Sequence, residues 1–448
     1  MPTRPDARAV LAALIDHARH EGAPTADASL SASESLSVDV RLGALEGVER
    51  SEDRSVGLRA LIGQRQAAAT TSDLSDAGLK ALAQRVVAMA KLAPEDPYCG
   101  LLDPAERAAA PAALDLADPG APPSPKALED MAIAAEDAAR AVKGVTNSSG
   151  AGSSYGTGQS AYMTSDGFFG ESRATSFGVA VSPIAEKDGK KERDYEGYSV
   201  RFREDLPDIA AIGRSAGERA AARLGARKIE SRRAPVIIEN RIAARLLSPF
   251  IGAISGAAIA RGVSFLKDKL GQAVFSPALT IEEDPFAPRG LASRAFDGEG
   301  AACVKRRLAD QGVLTTWLTN SAAARQLGLK STGHATLPHG GPPGIATSNL
   351  TVTPGDHDLA ALMKAAGEGL LVVEMFSPAL NANTGDWSVG VAGFWFNGAD
   401  RVFPVSEVTI AGNLLEIYPK ISPGADLERR GSFNAPSLLI DDLAIAGV

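Results

Sequence analysis

The stretch that most restricts how this chain can fold is Ala234–Gly262, APVIIENRIAARLLSPFIGAISGAAIARG. Pro235 to Ile238 is a short apolar run rich in β-branched residues, which predicts a buried strand. Ile242, Leu246, Leu247, Phe250, Ile251 and Ile254 follow at spacings of three and four, the period of a helix with one buried face. Pro249 falls inside that pattern. A proline lacks the N–H, and its ring collides with the preceding turn, so the helix is expected to kink or restart there. Gly252, Ala253, Ser255, Gly256, Ala257 and Ala258 are small enough to let a second backbone come close. On physics alone this is a strand followed by a tightly packed, broken helix that carries no chemistry.

Around it the periodicities predict an α+β fold in two domains. The first, residues 1–230, is an α+β layer of antiparallel strands and helices, with a Pro/Ala-rich surface connection near 94–125. An amphipathic helix spans Asp6–His20, and Ser31–Thr71 reads as a strand meander broken by Gly43, Gly47, Gly57 and Gly63. Asp73-Leu74-Ser75 caps a helix to about Leu92, with Leu79, Leu82, Val86 and Met89 on one face. A second amphipathic helix runs from Pro125 to about Val142. Asn147–Ser160, NSSGAGSSYGTGQS, has the composition of a flexible loop. No Lys-Ser/Thr ends it and no apolar strand feeds it, which weighs against a phosphate cradle. Strands at Phe168–Val181 and Arg193–Arg203, joined across Asp188-Gly189, and a helix at Asp208–Leu224 close the domain.

The second domain, residues 231–448, reads as a large, mostly antiparallel β structure with helical insertions. Hairpin turns are expected at Gln311-Gly312 and Asn397-Gly398. Short helices are expected at Ser321–Leu327, His357–Ala366 and Asn413–Ile421, and a closing strand at Leu438–Ile445.

Composition excludes several function classes. The net charge is −8, and the basic clusters Arg232-Arg233 and Lys305-Arg306-Arg307 read as solvated strand ends, so no nucleic-acid partner is expected. No run of eighteen apolar residues occurs and no signal peptide opens the chain, so no membrane partner is expected. Two cysteines, Cys99 and Cys303, make no disulfide framework and suit a reducing compartment, the cytoplasm.

Candidate chemistry is thin. His334 and His339 lie together in the Gly/Pro-rich stretch STGHATLPHGGPPG, with His357 further on, and read as loop residues short of the three or four converging ligands zinc needs. Cys303, in a predicted strand ACVKRRLAD and opposite Val304, reads as a packed thiol. Glu282, Glu283, Asp284, Asp297, Glu299, Asp386 and Glu407 could supply an acid–base pair, and spacing places no two of them at the right separation. Asp297-Gly298 is also a turn dipeptide.

Several long motifs carry a resemblance. Gly290-Leu291-Ala292-Ser293 with Phe296-Asp297-Gly298-Glu299-Gly300, Leu327–His334 (LGLKSTGH), Thr384-Gly385-Asp386-Trp387-Ser388, Gly393-Phe394-Trp395 and Pro404–Leu414 (PVSEVTIAGNL) stand in order. With Glu192-Arg193-Asp194-Tyr195 in the first half, they make nearly the whole chain resemble the TldD/PmbA family, in its TldE (PmbA) branch. The resemblance implies that the TldD branch carries a zinc-protease HExxxH after a Leu-Leu pair, and a cysteine near the C-terminus. Here Leu246-Leu247 is followed by Ser248, Pro249 and, four further on, Ala253; Arg430–Pro436 holds no cysteine, and no histidine lies between His20 and His334.

The resemblance therefore implies no catalytic, cofactor-binding or metal residue in this chain, and zinc in a partner. The expected role is the non-catalytic TldE-type subunit of a heterodimeric zinc metalloprotease acting on unfolded or short peptides, beside a TldD-type subunit. Two other classes stay open: a peptide-binding or regulatory protein of the gyrase-modulator type, and an independent hydrolase at an unrecognised carboxylate or at His334/His339.

Overall fold

A computed structural model describes residues 6–109 and 113–448. The fold is α+β, mostly antiparallel strands with helices packed on them. Helix α1 (Ala7–His20) starts where the Asp6 carboxylate accepts from Ala9 N, and it buries Leu11, Leu14, Ile15 and Ala18. Three strands follow: β1 (Thr25–Arg41), β2 (Ala44–Ile62) and β3 (Arg65–Thr71). Gly43 and Gly63 turn the chain between them at positive φ, whereas Gly47 and Gly57, expected to break the meander, lie inside β2. Ser75 caps α2 (Asp76–Leu92), whose buried face is Leu79, Leu82, Ala83, Val86, Val87 and Ala90; Met89, expected on that face, is exposed.

Pro125 opens α3 (Pro125–Arg140), where its missing N–H costs nothing. The stretch expected to be a flexible loop is instead part of β4 (Val145–Thr164), a central strand between β1 and β5 (Phe169–Lys187). Ser and Gly are poor strand formers, yet paired neighbours on both sides take up the backbone groups of β4, and that pairing decides the structure. Strands β6 (Lys190–Arg193) and β7 (Glu196–Val200) both pair with β5, and α4 (Ile209–Ala222) follows. The sheet order is β3-β2-β1-β4-β5-β6. Helices α1 and α2 pack around Leu30, Val56 and Leu58, and α3 and α4 around Val38, Val40, Val179 and Val181.

The second half opens with β8 (Arg232–Ile238) and α5 (Asn240–Ala253). Helix α5 runs through Pro249 without a restart; the break comes at Ile254-Ser255, and α6 (Gly256–Ala260) resumes. A proline removes one backbone bond, and here the neighbouring Ser248 hydroxyl donates to Ala244 O (2.9 Å) on the exposed side of the helix. The close approach expected of the small residues occurs at Gly256. Its N–H donates to Leu318 O (2.7 Å), and a Cβ there would lie 2.9 Å from that oxygen.

Next come β9 (Ile281–Asp284), β10 (Arg306–Asp310), β11 (Val313–Leu314), α7 (Ser321–Leu327), β12 (Asn349–Val352) and α8 (Leu359–Ala366). Then follow β13 (Glu368–Met375), β14 (Ala379–Leu380), β15 (Asp386–Asn397), β16 (Asp400–Asn413), α9 (Leu414–Ile417), β17 (Ile421–Pro423), β18 (Phe433–Asn434) and β19 (Leu438–Ala446). One sheet is ordered β11-β10-β9-β12-β18. In the other, β13-β8-β19-β16-β15 closes into a ring because β15 also pairs with β13; β14 extends from β15, and β17 pairs with β19. Only β13–β8 and β12–β18 are parallel among these pairs. The largest core joins Val236, Ile238, Leu370 and Trp395 of the ring to Leu246, Leu247 and Phe250 of α5.

Candidate functional site

The strand β8 is buried from Val236 to Ile238 and delivers the chain directly into α5. One side of α5 is core; Arg245, Ser248 and Gly252 are exposed on the other, and no atom lies within 4 Å of where a Gly252 Cβ would sit. Arg245 Nη1 donates to Met375 O (3.1 Å) and Arg241 Nη2 to Val373 O (3.3 Å), which fixes this face against the end of β13. Phe376, just beyond β13, is 48% exposed.

The family resemblance puts a zinc helix here, and the donor set does not fit that ion. Ser248 gives its hydroxyl to Ala244 O, Pro249 offers no ligand atom and Ala253 a methyl group. Zinc is held by thiolate, imidazole or carboxylate. Among the described residues no group of three or more His, Cys, Asp and Glu is arranged to hold a metal.

The start of α5 is tied to the first half by ions. Arg241 Nη1 donates to Asp194 Oδ1 (2.9 Å), and Arg219 Nη1 of α4 donates to Glu239 Oε1 (2.9 Å). Arg223 of α4 pairs with Glu374 of β13, and Arg430 with Glu196 of β7. Asp194, picked out in sequence only as part of a motif, is thus a cross-link between the halves. Glu239 and Arg241 are missed by sequence reasoning, because the signals that would find them are contacts to residues 20 and 47 positions away rather than a local spacing.

The titratable groups flagged in sequence lie elsewhere, in separate surroundings. His334 lies in a loop as expected, but a buried one: it is 1% exposed, with Nε2 2.7 Å from Glu283 Oε2 and Nδ1 2.8 Å from Thr332 Oγ1. Burial, opposed by Glu283, lowers its pKa below the usual histidine value. Burial pushes Glu283 the other way, but hydrogen bonds from His334 and Ser348 prevail and hold its pKa below the usual glutamate value. A neutral imidazole donating to a carboxylate satisfies both.

His339 faces away from this pair. It lies between the Ser29 and Ser55 hydroxyls (3.0 and 2.9 Å) of β1 and β2, and burial lowers its pKa. The two histidines, both in the loop, point to different partners and do not converge on one point. Cys303 is buried and Val304 exposed, in keeping with their opposed placement, although the strand begins later, at Arg306; burial pushes the thiol pKa up to about 11. Arg306, expected in solvent, is half-buried and donates to Thr332 O.

Asp297 is more than a turn residue. It is 1% exposed and accepts from the N–H groups of Glu299, Ala301 and Ala335. Burial and the neighbouring Glu299 raise its pKa to about 6. Glu299 accepts from Ser321 N and Oγ and lies 3.7 Å from Arg59 of β2, whose guanidinium chelates Asp27. Tyr162 completes that set by donating to Asp27 Oδ2 (2.9 Å). Glu282 and Asp284 sit at the surface with Arg307 and Lys305, Asp386 with Thr384 and Asn413, and Glu407 with Lys228. No two of these seven carboxylates therefore face an open cleft together as an acid and a base.

Models of the PmbA/TldA metallopeptidase match three segments: domain 1 at residues 26–90, the central domain at 118–224 and the C-terminal domain at 231–447. A protein described as metalloprotease PmbA, from Escherichia coli O157:H7, is 34% identical over 94% of this chain and 92% of its own length. A crystal structure described as a putative modulator of DNA gyrase, from Bacteroides thetaiotaomicron, superposes with a TM-score of 0.89 at 26% identity, covering 98% of this chain and 99% of that one. The structure of TldE from Thermococcus kodakarensis shares the fold, with a TM-score of 0.85 at 18% identity over 97% of this chain and all of that one.

Proposed function

We propose, on the footing that this chain belongs to the PmbA/TldD metallopeptidase family, that it is the TldE-type subunit without a zinc centre of its own. Its partner is a TldD-type chain that brings the metal, and the pair cleaves unfolded or short peptides. The observation that carries this reading is the outer face of α5. It is anchored to β13 through Arg241 and Arg245, and it has Ser248 and Pro249, with Ala253 turned into the core, where a metal helix would present ligands. Such a face can border a chamber and exclude water from a reaction performed by the partner's residues, but it activates no water itself.

The buried Glu283–His334 pair does not supply a second hydrolase. Its imidazole is inside the molecule with both nitrogens engaged, and a general base must reach the proton it takes. The compartment proposed is the cytoplasm, where Cys99 and Cys303 stay as the free thiols they are here. No helix of the described chain is long and apolar enough to cross a membrane.

Co-expression with a TldD-type chain tests the reading. The pair should co-purify, carry about one zinc per pair and cleave an unstructured peptide, while this chain alone should do neither. Cleavage that survives removal of the partner's HExxxH would sink it. A pair that never forms, with this chain acting alone on DNA gyrase, would favour the regulatory role that the description of the Bacteroides relative suggests.

A further inference from the structure

The outer edge of β2 is open. β3 covers it only from Val56 to Ile62, and among the described residues no strand lies beyond Ala44–Ser55. Those twelve residues are exposed except for the half-buried Gly47, Arg54 and Ser55. The edge is nonetheless held in place. At the hairpin turn the fully buried Glu136 accepts from Leu42 N (2.9 Å) and Gly43 N (2.8 Å), and inward of it β1 pairs with β2 along its whole length. A long, rigid, unpaired edge is a template for another strand, and proteins usually blunt such edges unless they use them.

Its charge pattern narrows the occupant. In the regular stretch Val48–Ser55, antiparallel pairing with a second copy about a twofold axis must oppose residues on the same face. Every such register of three residues or more opposes at least one pair of like charges: Glu49 on Glu49, Arg50 on Arg50, Glu49 on Asp53, Arg50 on Arg54 with Glu52 on Glu52, Asp53 on Asp53, or Arg54 on Arg54. A register shift against Asp39/Val40 breaks the regular edge before Gly47. Registers centred on Ser51 and Asp53 also oppose Glu52 to Arg50 or Arg54, so the like charges burden self-pairing without forbidding it, and a dimer is the competing outcome.

The sheet face beside the edge is acidic along β2, and two arginines, Arg201 and Arg430, line it on the far side, by β5 and β7. From Ser31 to Ser37 the β1 residues on this face, and their partners on β4 and β5, are no larger than serine. Along β2 the same face carries Glu49 and Asp53, paired across from Ser37 and Ser33, and a cavity of about 540 Å³ at its end is lined by Asp39 and Glu46. Among the described residues none of these four carboxylates has an arginine or lysine within 4 Å; Arg50 pairs with Glu52, and only the half-buried His339 faces Asp53. Ala44–Ser55 holds four carboxylates (Glu46, Glu49, Glu52, Asp53) and two guanidiniums (Arg50, Arg54), a net charge of −2.

We propose that Val48–Ser55 receives an extended, basic polypeptide segment as an added antiparallel strand, with its Lys or Arg side chains meeting Glu49 and Asp53. The backbone supplies the pairing without regard to sequence, and the two carboxylates select for positive charge. This goes beyond the subunit role and does not depend on it.

Fluorescence anisotropy on the full chain alone, without partner or zinc, tests the inference with a labelled (Thr-Lys)5 peptide. Its (Thr-Glu)5 analogue and its fully N-methylated counterpart serve as controls. Saturable binding is expected for (Thr-Lys)5 only. Glu49→Lys with Asp53→Lys, both at exposed positions that leave the thermal transition unchanged, should weaken it by about tenfold or more. Hydrogen exchange should slow at Val48–Ser55 when the peptide is present. No binding, binding indifferent to the double variant, or equal binding of the N-methylated peptide would overturn the proposal. So would a dimer of the chain alone that the double variant dissolves, since the edge would then belong to a second copy. Because the assay needs no partner, a negative result here leaves the subunit reading standing.

Discussion

The outer face of α5 and the cluster around Glu283, His334, Asp297 and Glu299 are opposites. The first is open and has no group that could take a proton or hold a metal. The second is rich in such groups and closed, with His334, Asp297 and Glu299 each 1% exposed. Shifted pKa values are commonly a mark of an active site, but structural ion networks shift them too. Here the groups are part of the packing: Arg59 and Asp27 of the first sheet meet Glu299 of the second half, while Glu283, His334 and Asp297 are buried within the second half. Chemistry-bearing residues are sealed into the packing, and the open face of α5 is left to shape.

If that contrast is right, the heaviest loss comes from the closed cluster. Arg59→Ala leaves Asp27 and Glu299 buried without their cation, and should cost about 3–5 kcal/mol in chemical denaturation. A loss under about 1 kcal/mol would mean that the cluster is solvated and its pairing incidental.

The same cluster should give a pH signature. The Asp297 pKa is raised from 3.8 to about 6 in the folded chain, so its protonated form is favoured by folding. Its contribution is fully present below pH 3.8 and is lost as pH rises through 6, roughly 2–3 kcal/mol in all. Glu283, with its pKa lowered, works in reverse and loses its contribution as pH falls below 4.5. Urea midpoints of the natural chain and of Asp297→Asn, measured from pH 4 to 7, should differ in slope. Parallel curves would remove Asp297 from the account.

A smaller effect is expected where α6 meets Leu318. Gly256→Ala puts a methyl group 2.8 Å from Thr319 Cγ2 and 2.9 Å from Leu318 O, and should cost about 1–3 kcal/mol by thermal unfolding. A neutral result would show that the backbone can give way there. The least effect is expected on the open face: Ser248→Ala should change stability by less than about 0.5 kcal/mol and leave peptide cleavage by the two-subunit enzyme unaltered. A large drop in cleavage would bring this face into contact with the substrate and erase the contrast.

The sequence showed much of the fold because its elements are locally consistent. Ser75 caps α2 and Pro125 opens α3 where expected, α7 spans Ser321–Leu327 as read, and the turns at Asp188-Gly189, Gln311-Gly312 and Asn397-Gly398 all form. It misjudged β4, whose Gly and Ser residues are strand only because β1 and β5 flank them. It also misplaced the restart, expected at Pro249 and found at Ile254-Ser255, because Leu246, Leu247 and Phe250 anchor one side of the helix in the core past the proline. The site was half legible. The lack of ligands at Ser248, Pro249 and Ala253 can be read from side-chain identity, since no arrangement turns a methyl group into a donor. That His334 meets Glu283 and His339 meets Ser29 could not be read, because those partners lie 51 and 310 residues away.

What the sequence determined by itself, then, was composition of the chemistry: the family motifs, the residues on α5 and the groups available anywhere to bind or titrate. What only the tertiary structure decided was which of those groups meet, which are sealed from water, and which strand edge is left open. Hydrogen bonding and burial are set by pairing across long stretches of chain, and local spacing carries no record of that pairing.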